Sequence, residues 1–245
     1  MTVDTRANLT IVTLLPHLLD TNGDAANARV LAQRARWGGL DADIVQVRTV
    51  DDVPAAVDLV VIGSGTETDL TVARDALLPL RDALRDWLAG GVPVLAVGTG
   101  WELLSDALEL ADGTSIDGLG LVRGRATALP ARITDDIVVD SDGLRLLGFE
   151  NHTRGYAGAA GVLGSVRSGT GNGDGSEGAL EGSFLGTHLH GPVLARNPAL
   201  ADRMLSTACA ARGLTVTPSE RTAAVDGIAK AARNQVAVRL GLTSE

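Results

Sequence analysis

The strongest constraint in this chain is an alternation. Short runs of apolar and β-branched residues alternate with helical patterns, and two of the runs end in glycine turns, Gly63-Ser64-Gly65 and Gly98-Thr99-Gly100. Residues 9–15 (LTIVTLL), 42–47 (ADIVQV), 58–62 (DLVVI) and 92–97 (VPVLAV) read as strands. Between the first two, Ala28, Leu31, Ala32 and Ala35 recur at helical spacing over residues 25–37. Asp24 is placed to cap that helix, and Gly38-Gly39 ends it. Residues 70–89 form a second helical stretch, with Gly90-Gly91 as its exit. Strands that are apolar along their whole length are buried on both faces, which calls for a parallel sheet with helices on each side. Such sheets bind ligands at the loops beyond the strands' carboxyl ends. Those loops here are residues 16–24, 63–69 and 98–100.

The second half is different in texture. Strand candidates at 118–122, 132–139, 144–149 and 184–189 are separated by glycine-rich turns, and residues 168–178 (SGTGNGDGSEG) read as a flexible, solvated excursion. Residues 173–178 satisfy G-x-G-x-x-G, but the strand–helix crossover that gives that spacing its meaning in dinucleotide binding does not surround them. Asn172, Asp174 and Ser176 resemble an oxygen-rich calcium loop whose bidentate acid is missing. Residues 197–212 form a helix with Asn197 as its cap and Pro198 at its first position. A last, alanine-rich helix follows from Ser219. The division expected is one α/β domain over residues 1–215 and a C-terminal helical appendage over 216–245.

Composition excludes several function classes. A net charge of −9 counts against a nucleic-acid binder, whose phosphate contacts need clustered lysine and arginine. No apolar run approaches the roughly 20 residues of a membrane span, and the first residues lack a signal-peptide pattern. A single cysteine, Cys209, cannot form an internal disulfide and reads as a small buried hydrophobe within a helix. A reducing, cytoplasmic setting follows. No Cys/His cluster has zinc spacing, and no metal or cofactor is expected.

The stretch 92–110 carries the chemistry. A strand running into a glycine-flanked turn and then a helix, expected over 101–110, has the form of a nucleophile elbow. The apex residue of an elbow points into the site, and the amides at the following helix's start can stabilise an oxyanion. Five blocks extend the pattern. They are Leu19-Asp20-Thr21-Asn22-Gly23-Asp24-Ala25-Ala26-Asn27, residues 93–104, residues 132–139, Gly148-Phe149-Glu150-Asn151-His152, and Gly186-Thr187-His188-Leu189-His190-Gly191-Pro192 followed by Asn197-Pro198. In this order, over about residues 9–212, the chain resembles the class I glutamine amidotransferases of the CobB/CobQ type, most closely the GatD-type subunits. The resemblance implies a flavodoxin-like α/β fold with a mostly parallel sheet flanked by helices.

It also implies a reaction and a set of roles. In that family an elbow cysteine attacks the side-chain amide of L-glutamine, and a histidine takes and later returns a proton. The histidine position falls on His190, and the arginine that grips the substrate's α-carboxylate falls on Arg132, a residue that otherwise reads as a surface-strand arginine. Gly65, Thr99 and Glu102 fall at substrate-contacting positions. The implied partner is a MurT-like, ATP-using ligase that amidates the D-glutamate of lipid II. The departures are specific. The nucleophile position is Gly98, Glu102 stands where the family commonly has glutamine, and Gly63-Ser64-Gly65-Thr66-Glu67 departs from a GGGQD-like loop. Thr99 would leave the turn in another direction and its hydroxyl needs strong activation, so it does not replace the thiol. The expectation is an amidotransferase subunit whose own glutamine hydrolysis is lost. The alternatives are an active glutaminase with a non-standard site and an unrelated α/β module that binds a small anion.

Overall fold

In the computed structural model, which describes residues 7–244, the first half runs β1 (Asn8–Leu14), α1 (Ala26–Trp37), β2 (Asp41–Val47), β3 (Leu59–Ile62), α2 (Leu70–Leu77), α3 (Arg81–Ala89), β4 (Val94–Val97) and α4 (Thr99–Leu104). The second half adds β5 (Ala107–Glu109), β6 (Ser115–Asp117), β7 (Arg125–Ser141), β8 (Leu144–Ala157), β9 (Gly164–Ser168), β10 (Ser176–Glu177), β11 (Ala179–Glu181) and β12 (Phe184–Thr187). The chain then continues through α5 (Val193–Arg196), α6 (Pro198–Ala211) and α7 (Glu220–Arg239). Residues 1–6, part of the stretch that lacks a signal-peptide pattern, lie outside the described residues. Among the described residues no helix is long and apolar enough to cross a membrane.

Five strands form a parallel sheet in the order β2-β1-β3-β4-β12, with β11 antiparallel at the β12 edge. That is the flavodoxin-like order. Alternate residues of each strand feed two cores. Leu9, Ile11, Leu59, Val61, Leu95 and Val97 pack against α1 and α6 on one face. Val12, Leu14, Val60, Ile62, Val94 and Ala96 pack against α2 and α3 on the other. Each buried leucine or isoleucine here contributes about 1.5–3 kcal/mol of transfer free energy. Cys209 is 1% exposed in the first core, and burial pushes its thiol pKa up. The small hydrophobe expected from the sequence is what the fold uses.

The second half builds its own sheet, mostly antiparallel, in the order β10-β9-β7-β5-β6 with β8 paired to β7. The long β7–β8 hairpin turns through Asp142-Gly143, both at positive φ, as a two-residue hairpin loop requires.

Several local expectations are corrected. The helix over 70–89 is two, separated by a 3-10 turn at Leu78–Leu80, because Pro79 cannot donate to the preceding turn. The helix expected over 101–110 stops at Leu104. Residues 118–122 are not a strand; the amides of Leu119, Gly120 and Leu121 instead satisfy the terminal carbonyls of Leu103, Ser105 and Leu104. The glycine-rich stretch is not a solvated excursion. Asn172 and Glu177 within it are buried, and Asn172 closes the loop with hydrogen bonds to Gly178 and Ser176. Asn197 begins α6, but its side chain pairs with both backbone groups of Leu147 rather than capping the helix.

Candidate active site

Four strand-end loops of the parallel sheet meet at one place. The loop after β1 brings Asn22 and Asp24, that after β3 brings Ser64, Gly65 and Glu67, β4 ends at Gly98, and β12 leads to His190. Gly98 has φ 51° and ψ −123°, a conformation that L side chains rarely adopt. Its N–H donates to Thr187 O, and its own carbonyl accepts from Glu102 N–H as α4 begins. The elbow is therefore retained in full while its apex carries no side chain. Gly100 explains how α4 lies so close to the β3 loop, since a Cβ there would come within 2.2 Å of Gly63 O.

His190 is 1% exposed. Its Nδ1 lies 3.1 Å from Asp24 Oδ2, and the same carboxylate accepts N–H bonds from Ser64 (3.2 Å) and Gly191 (2.9 Å). An acceptor-only carboxylate at Nδ1 places the ring hydrogen there and leaves Nε2 as the acceptor. Nε2 has no protein partner among the described residues. A Cβ at position 98 would stand 3.2 Å from Nε2 and 2.7 Å from Cε1. Asp24, His190 and position 98 thus have the order of a carboxylate, a base and a nucleophile. The local sequence predicts a helix cap at Asp24; α1 instead begins after Ala25 with no side-chain cap. A loop acid immediately before a helix has the same local signature in either role. Only the approach of the His190 loop separates them.

A cavity of 260 Å³ opens in front of Gly98. Gly65, Thr99, Glu102 and Arg132, all expected at the site, line it, and so do Ser64, Glu67, Asn151 and Arg154. Arg132 sits on an exposed stretch of β7 where the pairing with β8 slips between Ala128 and Ile133. Such a bulge re-aims side chains, and Arg132 donates to Asn151 Oδ1 at 2.9 Å. Glu102 is not free. It is 1% exposed, and Arg154 Nε holds its Oε2 at 2.7 Å while another Arg154 nitrogen holds Glu67 at 2.7 Å. Burial alone would lower the Arg154 pKa, but the charges of Glu102 and Glu67 outweigh it and raise it. Thr99 donates its hydroxyl to Gly65 O at 3.1 Å, which agrees with a side chain turned to the loop.

From the cavity wall inward runs a polar cluster the sequence did not disclose. Glu150, His152 and Arg154 alternate along β8 and share its buried face. His152 Nδ1 lies 2.6 Å from Arg154 O and Nε2 lies 3.2 Å from Glu150 Oε1, so both ring nitrogens face acceptors, an arrangement that favours the cation. Burial opposes that charge, yet the Glu150 hydrogen bond prevails and the His152 pKa is raised. His188 stacks on it with centroids 4.1 Å apart. Burial, and then the His152 charge, lower the His188 pKa and favour its neutral form. Glu177, fully buried, accepts from Thr187 Oγ1 and His188 N–H at 2.7 Å each.

Comparison with known proteins shows the family and the fold. The family model for a CobB/CobQ-like glutamine amidotransferase domain matches residues 21–198. The chain is 31% identical over 216 residues to the GatD subunit of a glutamine-hydrolyzing lipid II isoglutaminyl synthase from Staphylococcus aureus (strain N315), covering 86% of this chain and 89% of that one. It is 30% identical over 209 residues to the subunit of the same name from Streptococcus pneumoniae (strain ATCC BAA-255 / R6), covering 82% and 80%. Among solved structures it is similar to a glutamine amidotransferase with a TM-score of 0.55 at 17% identity, covering 80% of this chain and 98% of that one. A second, a putative GMP synthase subunit from Thermoplasma acidophilum, gives 0.52 at 14% identity, covering 84% and 96%. At these identities the structures show the shared fold.

Proposed function

We propose that this chain, which belongs to the CobB/CobQ-like glutamine amidotransferase family, is a GatD-like subunit that pairs with a MurT-like, ATP-using ligase and no longer hydrolyses glutamine itself. Two relatives named as subunits of lipid II isoglutaminyl synthase support the pairing. They make the D-glutamate of lipid II, and hence cytoplasmic peptidoglycan synthesis, the proposed setting. Residues 216–245 are proposed as an appendage, since α7 lies beyond the matched span.

The observation that carries the loss of hydrolysis is Gly98. An amidotransferase of this kind needs a thiolate to form a thioester with the glutamine side chain, releasing ammonia, before water frees the glutamate. His190 keeps the means to accept a thiol proton at Nε2 and to return it to the departing nitrogen, with Asp24 stabilising the imidazolium between those steps. Arg132 keeps a guanidinium at the mouth for an α-carboxylate. The apex offers only hydrogen, and no bond to the amide carbon can form there. Losing a triad-type nucleophile costs about 10⁶ in rate in a well-studied protease. Glu102 adds to this, because its carboxylate is committed to Arg154.

The experiment is co-expression with the Mur-ligase-like protein encoded nearest to it, followed by amidation assays on the purified pair. The reading expects a stable complex that amidates lipid II with ammonium and not with glutamine. Ammonia release from glutamine above the buffer rate contradicts the loss of hydrolysis. A chain that stays alone contradicts the subunit role.

A further inference from the structure

We infer that Ser64 is a second lock on this site: its hydroxyl occupies the reaction centre, so that a side chain at position 98 and the Ser64 hydroxyl exclude one another. The inference rests on Gly98 being the emptied nucleophile position. Ser64 is 4% exposed, and its backbone is pinned by donation of its N–H to Asp24 Oδ2 at 3.2 Å. Its Oγ accepts from Thr99 N–H at 3.4 Å and lies 3.2 Å from Thr99 Oγ1. The amide following an elbow apex is the donor that would stabilise the oxyanion of an attacked carboxamide. Here that donor already points at a side-chain oxygen of the same protein.

The same atom obstructs the apex. A Cβ built on Gly98 would meet Ser64 Oγ at 2.8 Å and His190 Cε1 at 2.7 Å, both inside ordinary contact. His190 has little freedom to retreat, because its ring is buried and its Nδ1 is anchored to Asp24 Oδ2. Ser64 must therefore yield if a thiol is to stand there, and yielding breaks its contacts with Thr99. Serine at this position makes Gly98 the favoured occupant of the apex and leaves the site more than one substitution away from chemistry.

The test compares Gly98→Cys with the double variant Gly98→Cys/Ser64→Ala, which removes one oxygen from the surroundings of the new thiol. Each folded protein is treated with an electrophilic glutamine analogue, 6-diazo-5-oxo-L-norleucine, and adduct formation at position 98 is timed by peptide mass spectrometry. Buried Cys209 is the internal reference. Freeing the Thr99 amide and the apex should speed labelling of the double variant at least about tenfold, the worth of one or two net hydrogen bonds. Equal rates, at any speed including none, overturn the inference. An adduct on the unmodified chain instead sinks the reading of Gly98 and leaves this ratio unaffected. A second measurement needs no thiol: urea unfolding of Gly98→Ala with and without Ser64→Ala. The penalty of Gly98→Ala on the folding equilibrium should shrink at least about fivefold in the Ser64→Ala background, and additive penalties overturn the inference.

Discussion

Replacing Gly98 by alanine tests whether the elbow is still strained and crowded after its side chain is gone. The backbone stands at φ 51° and ψ −123°. Holding a non-glycine residue in so sparsely populated a region costs about 1–3 kcal/mol. The added Cβ also meets His190 Cε1 at 2.7 Å and Ser64 Oγ at 2.8 Å, and overpacking of this kind costs about 1–3 kcal/mol. Some of that is relieved by rotation of Ser64, so the sum should settle near 3 kcal/mol. For a chain of this size each kcal/mol lowers Tm by about 2–4 °C, giving a fall of about 6–12 °C. Urea titration with circular dichroism measures the free energy, and a thermal scan the Tm. An unchanged midpoint would refute both the strain and the crowding, and with them the claim that glycine stabilises this site at the expense of its chemistry.

Arg154→Met should destabilise by about 3–5 kcal/mol, because it leaves the buried Glu102 carboxylate without its partner; adding Glu102→Gln should recover much of the loss in the same urea titration. The two buried histidines predict a stability maximum near their ordinary pKa of 6.5. The raised His152 pKa gives stabilisation that is full below pH 6.5 and fades as pH rises through the folded value. The lowered His188 pKa gives stabilisation present above pH 6.5 and lost as pH falls toward the folded value. His152→Gln should flatten the alkaline limb in unfolding measured across pH, and an unaltered limb would exclude His152 as its source.

The parallel sheet was legible because β1, β3 and β4 are apolar along most of their length, a pattern written in nearest neighbours, whereas β2 is an edge strand with Asp41, Asp43 and Ile44 exposed. His190, Arg132, Glu102, Thr99 and Gly98 lie in the family blocks and Gly65 in the departing 63–67 loop, and the structure gathers them around one cavity and its rear wall. What escaped depends on contacts distant in sequence. Asp24 has the local signature of a helix cap, and its pairing with His190 spans 166 residues. Glu177 lies in a stretch so rich in glycine that its polarity suggested solvent, yet it is buried beneath His188. Arg154 carries no local signal of its role, because its partners Glu102 on α4 and Glu67 in the loop after β3 are both distant in sequence. Pro79, by contrast, was visible to anyone weighing the helix over 70–89, and its effect was local.

The most direct test of the central claim uses the unmodified protein. The chain is incubated with 6-diazo-5-oxo-L-norleucine and weighed intact by mass spectrometry, with ammonia release from glutamine followed in parallel. With glycine at the elbow, the mass should remain that of the bare polypeptide and ammonia should accumulate no faster than in buffer. A stoichiometric glutamine-derived adduct on any residue, accompanied by ammonia, would contradict the account.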